Sequence, residues 1–98
     1  MSKKQNFTLH QAKTIGEQLG IRWETFDVAQ FRAGLGVELE HGAVNQTTNV
    51  TNDDRLMTGK IALAHLTEFP DYYTRLAIME KAAKLFWNLE KHPQLRRP

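Results

Sequence analysis

Two pairs of glutamate and histidine have the spacing that brings ligands together on one face of a helix. Glu38 and His41 are three residues apart, and so are His65 and Glu68. Residues three apart on a helix are neighbours, so each pair can offer a carboxylate oxygen and an imidazole nitrogen to one ion. Glu-x-x-His is also the ligand spacing of carboxylate-bridged two-metal helical bundles. The four side chains therefore form a candidate site for a divalent metal.

Helical geometry singles out Glu38 and His65, because each of them interrupts an apolar surface. At ~100° per residue, Glu38 projects ~20° from Phe31 and ~60° from Leu35 on the second predicted helix. His65 falls inside the apolar arc of the third predicted helix, and Glu68 lies at the edge of that arc. The sequence therefore predicts that an imidazole and a carboxylate from two helices meet in a sheltered place.

Three kinds of site fit this cluster. A single ion with two histidine and two glutamate ligands suits Zn, Mn or Fe(II), whereas a two-metal site would need glutamates from two further helices. A structural network is the main alternative, since a buried histidine often donates to a carboxylate merely to satisfy both groups. A metal-free active site would need a nucleophile or a substrate pocket beside the pair. The sequence contains no nucleophile motif or phosphate-binding loop, so whether the protein is an enzyme stays open.

Start and stop signals predict the first two helices that carry these residues. Thr8 followed by Gln11 has the pattern of a capping box and predicts a helix over 9–19. Asp27 is a good cap for a second helix, and Gly42 is predicted to end it as the glycine that follows a helix. The first of the two pairs therefore lies in the last turns of the second helix.

The second half of the chain is predicted to hold a long loop and two further helices. Residues 42–54 lack a helical period and are rich in Asn, Thr and Asp, which favour loops; a short strand around Val50 would not change the fold class. Asp53 or Asp54 should cap a third helix over 55–68. A proline then begins a fourth helix, which is predicted to span about 70–91.

Two features predict how closely the helices pack. Gly34 and Gly36 each cost about 1 kcal/mol inside the second helix. They indicate either close packing at that level or simply a weakened helix. The apolar stripe of the fourth helix is wide enough to contact more than one neighbour. It places Tyr72 in the core, with its hydroxyl reaching either the polar cluster or the surface, and leaves Tyr73 exposed.

Size and composition bound the class of protein. Ninety-eight residues form one domain, and the lack of cysteine excludes disulfides and thiolate metal sites. The sequence shows neither a signal peptide nor an apolar run long enough to cross a bilayer. We therefore expect a soluble cytoplasmic protein without a membrane partner, either a monomer or a small homo-oligomer.

Three segments of the chain resemble a known family. They are Val37-Glu-Leu-Glu-His-Gly42, the loop segment 48–54 and the segment 58–76, which reads Thr-Gly-Lys-Ile-Ala-Leu-Ala-His-Leu-Thr-Glu-Phe-Pro-Asp-Tyr-Tyr-Thr-Arg-Leu. The chain is similar over about 8–80 to small bacterial and phage proteins with a domain of unknown function. The resemblance implies membership and carries no activity or cofactor. The residues that match the family pattern are Glu38, Glu40, His41, His65, Glu68, Pro70, Asp71, Tyr72 and Tyr73.

The charge distribution supports a second class of function. The formal net charge is +2, and much of the basic excess is near the ends, at Lys3, Lys4, Lys81, Lys84, Lys91, Arg96 and Arg97. Basic ends can contact nucleic acid non-specifically, as in an adaptor of phage or mobile-element origin. The chain lacks the dense basic stripe with interleaved aromatic residues that would favour this class, so solvated tails are the simpler explanation.

The sequence as a whole predicts an all-α protein with a single small domain of four helices. Residues 1–6 should be a disordered N-terminus, 7–91 the helical domain and 92–98 a basic tail. A long loop over 42–54 should connect helices two and three. The leading functional hypothesis is a binding or accessory domain in which the Glu38, His41, His65 and Glu68 cluster is structural or binds a divalent metal.

Overall fold

A computed structural model describes residues 7–87, without the side chain of residue 43. Three predictions concern residues outside this range, namely the disordered segment 1–6, the basic tail 92–98 and the end of the fourth helix at 91. The basic residues of both termini lie outside it as well, except for Lys81 and Lys84. These two are exposed on the last helix.

Four α-helices make up the described part of the chain. They are α1 (Leu9–Gln18), α2 (Val28–Val44), α3 (Arg55–Glu68) and α4 (Tyr72–Trp87), and a short 3₁₀ helix (Gln46–Thr48) follows α2. Residues 7–87 contain no strand, so the all-α class is confirmed and the strand considered around Val50 is not found. None of these helices is long and apolar enough to cross a membrane.

Side-chain caps begin the first three helices as the sequence predicts. Thr8 and Gln11 form the capping box at α1, where each side chain accepts a hydrogen bond from the backbone N–H of the other, at 3.0 and 2.9 Å. Asp27 and Asp54 each accept from the backbone N–H three residues on, at 2.9 and 2.8 Å. Satisfying these otherwise unpaired N–H groups fixes where each helix starts.

The connection between α2 and α3 differs from the predicted long loop. The prediction that Gly42 ends α2 is wrong: the helix continues to Val44, and the connection covers only 45–54 with a 3₁₀ helix inside it. A glycine that terminates a helix takes positive φ, and Gly42 does not. Its missing side chain instead makes room for the connection, because a Cβ there would lie 2.5 Å from Thr51 Oγ1.

Helix α2 is the central element, since it contacts every other helix and forms the two most extensive helix–helix contacts, with α3 and α1. Its contact with α3 is the most extensive in the fold, so the two helices that carry the predicted Glu/His pairs do pack side by side. The core is formed by buried side chains from all four helices and the segment before α1. They are Phe7, Ala12, Ile15, Phe31, Leu35, Leu39, Ala62, Leu66 and Tyr73.

The first turn of α4 reverses the predicted roles of its two tyrosines. The helix begins at Tyr72 rather than residue 70; Tyr73 is buried, whereas Tyr72 is only half-buried. The prediction failed because it took the buried face from the apolar stripe of the whole helix. That stripe is largely uncovered from Ile78 onward, since Ile78 and Phe86 are 66% and 78% exposed.

Gly34 explains why Tyr73 is the tyrosine that enters the core. A Cβ at position 34 would lie 2.5 Å from Cε2 of the Tyr73 ring and 2.9 Å from its Cζ. The aromatic ring therefore packs directly against the α2 backbone, as the interior glycine suggested. Among residues 7–87, no atom other than the adjacent residues and the local α2 backbone lies within 4 Å of a Cβ built at Gly36, so the same expectation is not met there.

This contrast predicts opposite effects for two alanine substitutions in one helix. Gly34→Ala should lower the free energy of unfolding by about 1–3 kcal/mol, because the new methyl group overlaps the Tyr73 ring. Gly36→Ala has open space and should raise the free energy of unfolding by up to about 1 kcal/mol, through better helix propensity. Urea unfolding of both variants measures the difference. If Gly34→Ala were as stable as Gly36→Ala, the close contact with Tyr73 would be contradicted.

Candidate functional site

Three side chains from three helices meet at one carboxylate oxygen. Glu38 of α2 accepts a hydrogen bond through Oε2 from the Tyr73 hydroxyl of α4, at 2.7 Å. The same Oε2 lies 2.9 Å from Nδ1 of His65 on α3, and that Nδ1 is 3.0 Å from the Tyr73 oxygen. The three groups form a closed triangle, which we call the Tyr73–Glu38–His65 network.

The geometry assigns the protons of this network. Oε2 of an ionised carboxylate has only lone pairs to offer, so both neighbours must donate to it. The Tyr73 hydroxyl donates its hydrogen bond to Oε2, so it cannot also donate to His65. The His65 imidazole therefore carries a proton on Nδ1, which points between Oε2 and the tyrosine oxygen. In the opposite tautomer, the Nδ1 lone pair would face the carboxylate. We assign a proton to Nδ1. In the neutral imidazole this assignment leaves Nε2 as an acceptor.

Burial of Glu38 makes the hydrogen bonds of the network important for stability. Glu38 is 8% exposed, and a buried carboxylate is costly unless hydrogen bonds replace the water it has lost. Two donors on one oxygen provide that replacement, and bonds to a charged acceptor are stronger than neutral ones. Burial, the hydrogen bond to Glu38 and the charge of Glu38 raise the pKa of Tyr73 well above its ordinary value. Tyr73 therefore stays protonated and remains a donor.

His65 joins the buried network to the surface. Its ring stacks on Tyr72 with the centroids 4.4 Å apart and the planes 3° from parallel, so both tyrosines after the proline fix its orientation. The His65 side chain is 32% exposed. Its hydrogen bonds within residues 7–87 involve only Nδ1. The second nitrogen, Nε2, is thus open to solvent or to a ligand.

Glu38 also reaches an open pocket of about 450 Å³. The pocket lies between the last turns of α2, the 45–54 connection and α3. Its lining combines a carboxylate, an imidazole and two hydroxyls with aliphatic side chains. The lining residues are Glu38, His41, Gly42, Val44, Thr48, Val50, Thr51 and Ile61. We call this space the Glu38 pocket.

The structure brings together two of the four predicted metal ligands. Glu38 and His65 meet as the helical pattern predicts, while His41 is exposed at the pocket and Glu68 is exposed on α3. Among residues 7–87, no three His, Cys, Asp or Glu side chains are grouped so that they could hold an ion. Metal binding by the four residues therefore stays a prediction, with its geometric basis in the Glu38–His65 pair.

Sequence reasoning missed two residues of the site. Tyr73 was assigned to the surface, although the glycine at position 34 marked the place on α2 where a large side chain could enter. Thr51 was treated as part of a loop, yet it is 3% exposed and packs against Gly42. Nothing in the local sequence distinguishes Thr51 from the other polar residues of the connection, because its burial depends on how far α2 extends.

Comparison with known proteins identifies a family. A family model described as "Protein of unknown function (DUF5661)" matches residues 12–82, a range that contains every residue of the network and of the Glu38 pocket. No curated protein matches the chain, and no solved structure matches it. The function must therefore be argued from the geometry of the site.

Proposed function

The chain belongs to this family of proteins of unknown function, and we propose that it is a small accessory binding domain. In this proposal the Tyr73–Glu38–His65 network holds α2, α3 and α4 in register. It also keeps the Glu38 carboxylate at the edge of the pocket and His65 Nε2 at the surface. The observation that supports the proposal is that one buried oxygen accepts hydrogen bonds from two other helices.

A structural role follows from the cost of leaving any member alone. Without its two donors, Glu38 would be a buried and uncompensated charge, and such groups are strongly destabilising. The donors come from separate helices, so the network favours only the arrangement in which all three helices are correctly placed. The cytoplasmic location and the monomeric or small homo-oligomeric state expected from the sequence complete this proposal.

Binding of a divalent metal is the second candidate function, and the hydrogen bonding of His65 favours it. Metal-binding histidines usually donate their other ring N–H to a carboxylate, which fixes the tautomer and makes the ligating nitrogen more basic. His65 has this arrangement, with Nδ1 on Glu38 and Nε2 open. Glu68, three residues along α3, shares its helix face. Zn, Mn and Fe(II) suit such nitrogen and oxygen donors.

The structural role predicts energetic coupling between Glu38 and Tyr73. In a double-mutant cycle of Glu38→Gln and Tyr73→Phe, each single variant should lose about 1–3 kcal/mol of unfolding free energy, because each weakens a bond to a buried charge. The double variant should be more stable than the sum of the two losses implies, by about 1–2 kcal/mol. Urea unfolding measures all four proteins.

The matched control replaces Glu38→Gln in the cycle by Glu40→Gln. Glu40 is on the same helix but is exposed, and Tyr73 makes its hydrogen bond to Glu38 instead. The effects of Glu40→Gln and Tyr73→Phe should therefore add. Additive effects in the Glu38 cycle as well would contradict the network.

The metal candidate predicts a selective change at His65. Protein purified without a histidine tag should contain a bound divalent ion, or should take up Zn, Mn or Fe(II) with perturbation of the His65 imidazole signals in NMR spectra. His10, which is exposed on α1, serves as the internal reference. Protein without bound metal, together with His65 signals that change no more than those of His10, would remove this candidate.

A further inference from the structure

We propose that the Glu38 pocket binds a primary ammonium group carried on a short hydrocarbon chain. The acceptors are the second carboxylate oxygen of Glu38 and the hydroxyl of Thr51. This inference names a ligand class for the binding domain proposed above, and it rests on that proposal for the position of Glu38. A structural network without an ammonium ligand would still show the coupling between Glu38 and Tyr73, so the two can fail separately.

Glu38 supplies the charge of the pocket. Both donors of the network bind Oε2, and Oε1 has no hydrogen-bond partner among residues 7–87. The residue also lines the pocket, so Oε1 is the free acceptor of an oriented, mostly buried carboxylate. A cation reaching Oε1 needs no rearrangement of the network, because Tyr73 and His65 keep their bonds to the other oxygen.

Thr51 supplies an independent indication of a ligand. It is 3% exposed, lines the same pocket, and its Oγ1 is buried without a hydrogen-bond partner within the described chain. Buried hydroxyls are nearly always paired, and an unpaired one calls for an explanation. The other threonine of the lining, Thr48, is already satisfied, because its hydroxyl donates to the carbonyl oxygen of Asn45 at 3.2 Å. Thr51 is thus the hydroxyl that lacks a partner.

The remaining walls define the body of the ligand. Val44, Val50 and Ile61 are aliphatic and line the pocket with Glu38 and Thr51. They favour a hydrocarbon chain next to the charged group, and a volume of about 450 Å³ falls within the range of small-molecule sites. An anion would meet the Glu38 carboxylate and is disfavoured. A four-carbon chain ending in an ammonium matches the Glu38 charge, the unpaired Thr51 hydroxyl and the aliphatic wall, while the fourth polar lining residue, His41, is exposed to solvent.

This chemistry has two sources, a free small amine and the side chain of a lysine in another protein. Both present a primary ammonium group at the end of a chain of four carbons. The probes are therefore n-butylammonium for the first source and lysine with both ends blocked, as the Nα-acetyl methylamide, for the second. Uncharged n-butanol and anionic butyrate are the controls for charge.

The experiment is an NMR titration of the ¹⁵N-labelled full chain with each of these four compounds. At least one of the two ammonium probes should give saturable shifts of the Gly42 and Thr51 amide signals, with a dissociation constant of about 1–10 mM, as expected for fragments. Butanol should bind about tenfold more weakly or not at all, and butyrate should not bind. If blocked lysine binds at least as well as n-butylammonium, the source is a protein side chain; tighter binding of n-butylammonium indicates a free amine.

Two pairs of variants test the assigned acceptors. Glu38→Gln should weaken binding at least ~10-fold, and Thr51→Val about 3–10-fold, in line with charged and neutral hydrogen bonds. The controls Glu40→Gln and Thr47→Val make the same chemical changes at exposed positions and should leave binding unchanged. Thr51→Val removes an unpaired hydroxyl, so the variant should fold and keep its stability.

Three results would overturn the proposal. They are the lack of saturable binding by both ammonium probes, binding of butyrate as tight as that of n-butylammonium, and unchanged affinity of the Glu38→Gln or Thr51→Val protein. The coupling between Glu38 and Tyr73 is measured without any ligand. It therefore shows whether a negative titration concerns the ligand alone or the placement of Glu38 as well.

Discussion

The fold depends on compensating one buried negative charge. Glu38 occupies a position on α2 where the helical pattern requires an apolar residue, and it is 8% exposed there. Hydrogen bonds from Tyr73 and His65 make this position tolerable. Because these donors belong to α4 and α3, the carboxylate links three helices. Gln30 of α2 adds two hydrogen bonds to α4, since its side chain accepts from the Tyr73 N–H and donates to the Thr74 hydroxyl.

Several features support the geometry of this carboxylate. Gly34 lets the ring of Tyr73 lie against the α2 backbone, so that its hydroxyl reaches Glu38 one helical turn further on. Tyr72 stacks on the imidazole of His65 and sets the direction of Nδ1. The two tyrosines are adjacent in sequence and act on different partners. One of them donates to the charge, and the other orients the second donor.

The sequence was most informative where the signal is local. The sequence predicts the caps at Thr8 and Asp27, and a third cap at Asp53 or Asp54, because a cap bonds to backbone only three residues away. Asp54 is the residue that forms the third cap. Glu38 and His65 were identified because a polar residue on an apolar helix face is visible from periodicity alone. That the two meet also followed, since both helices had to bury the faces that carry these residues.

The predictions failed where tertiary contacts decide. Gly42 has the features of a helix-ending residue, but the packing of Thr51 against it keeps α2 helical to Val44. Tyr73 was assigned to the surface because the apolar stripe of α4 was assumed to be buried along its length. The pocket depends on the contact of Thr51 with Gly42 and on the position of Glu38, which Tyr73 fixes. These contacts join separate segments, so the sequence of one segment cannot locate the pocket.

The tautomer of His65 is the most direct test of this account, because it reports which atom faces the carboxylate. Long-range ¹H–¹⁵N NMR spectra of the imidazoles in mildly alkaline solution distinguish the two neutral forms, and a His65→Gln variant assigns the signals. The account predicts that His65 carries its proton on Nδ1 and that Tyr73→Phe leaves this preference in place. A proton on Nε2, or a mixture of the two tautomers, would contradict this assignment.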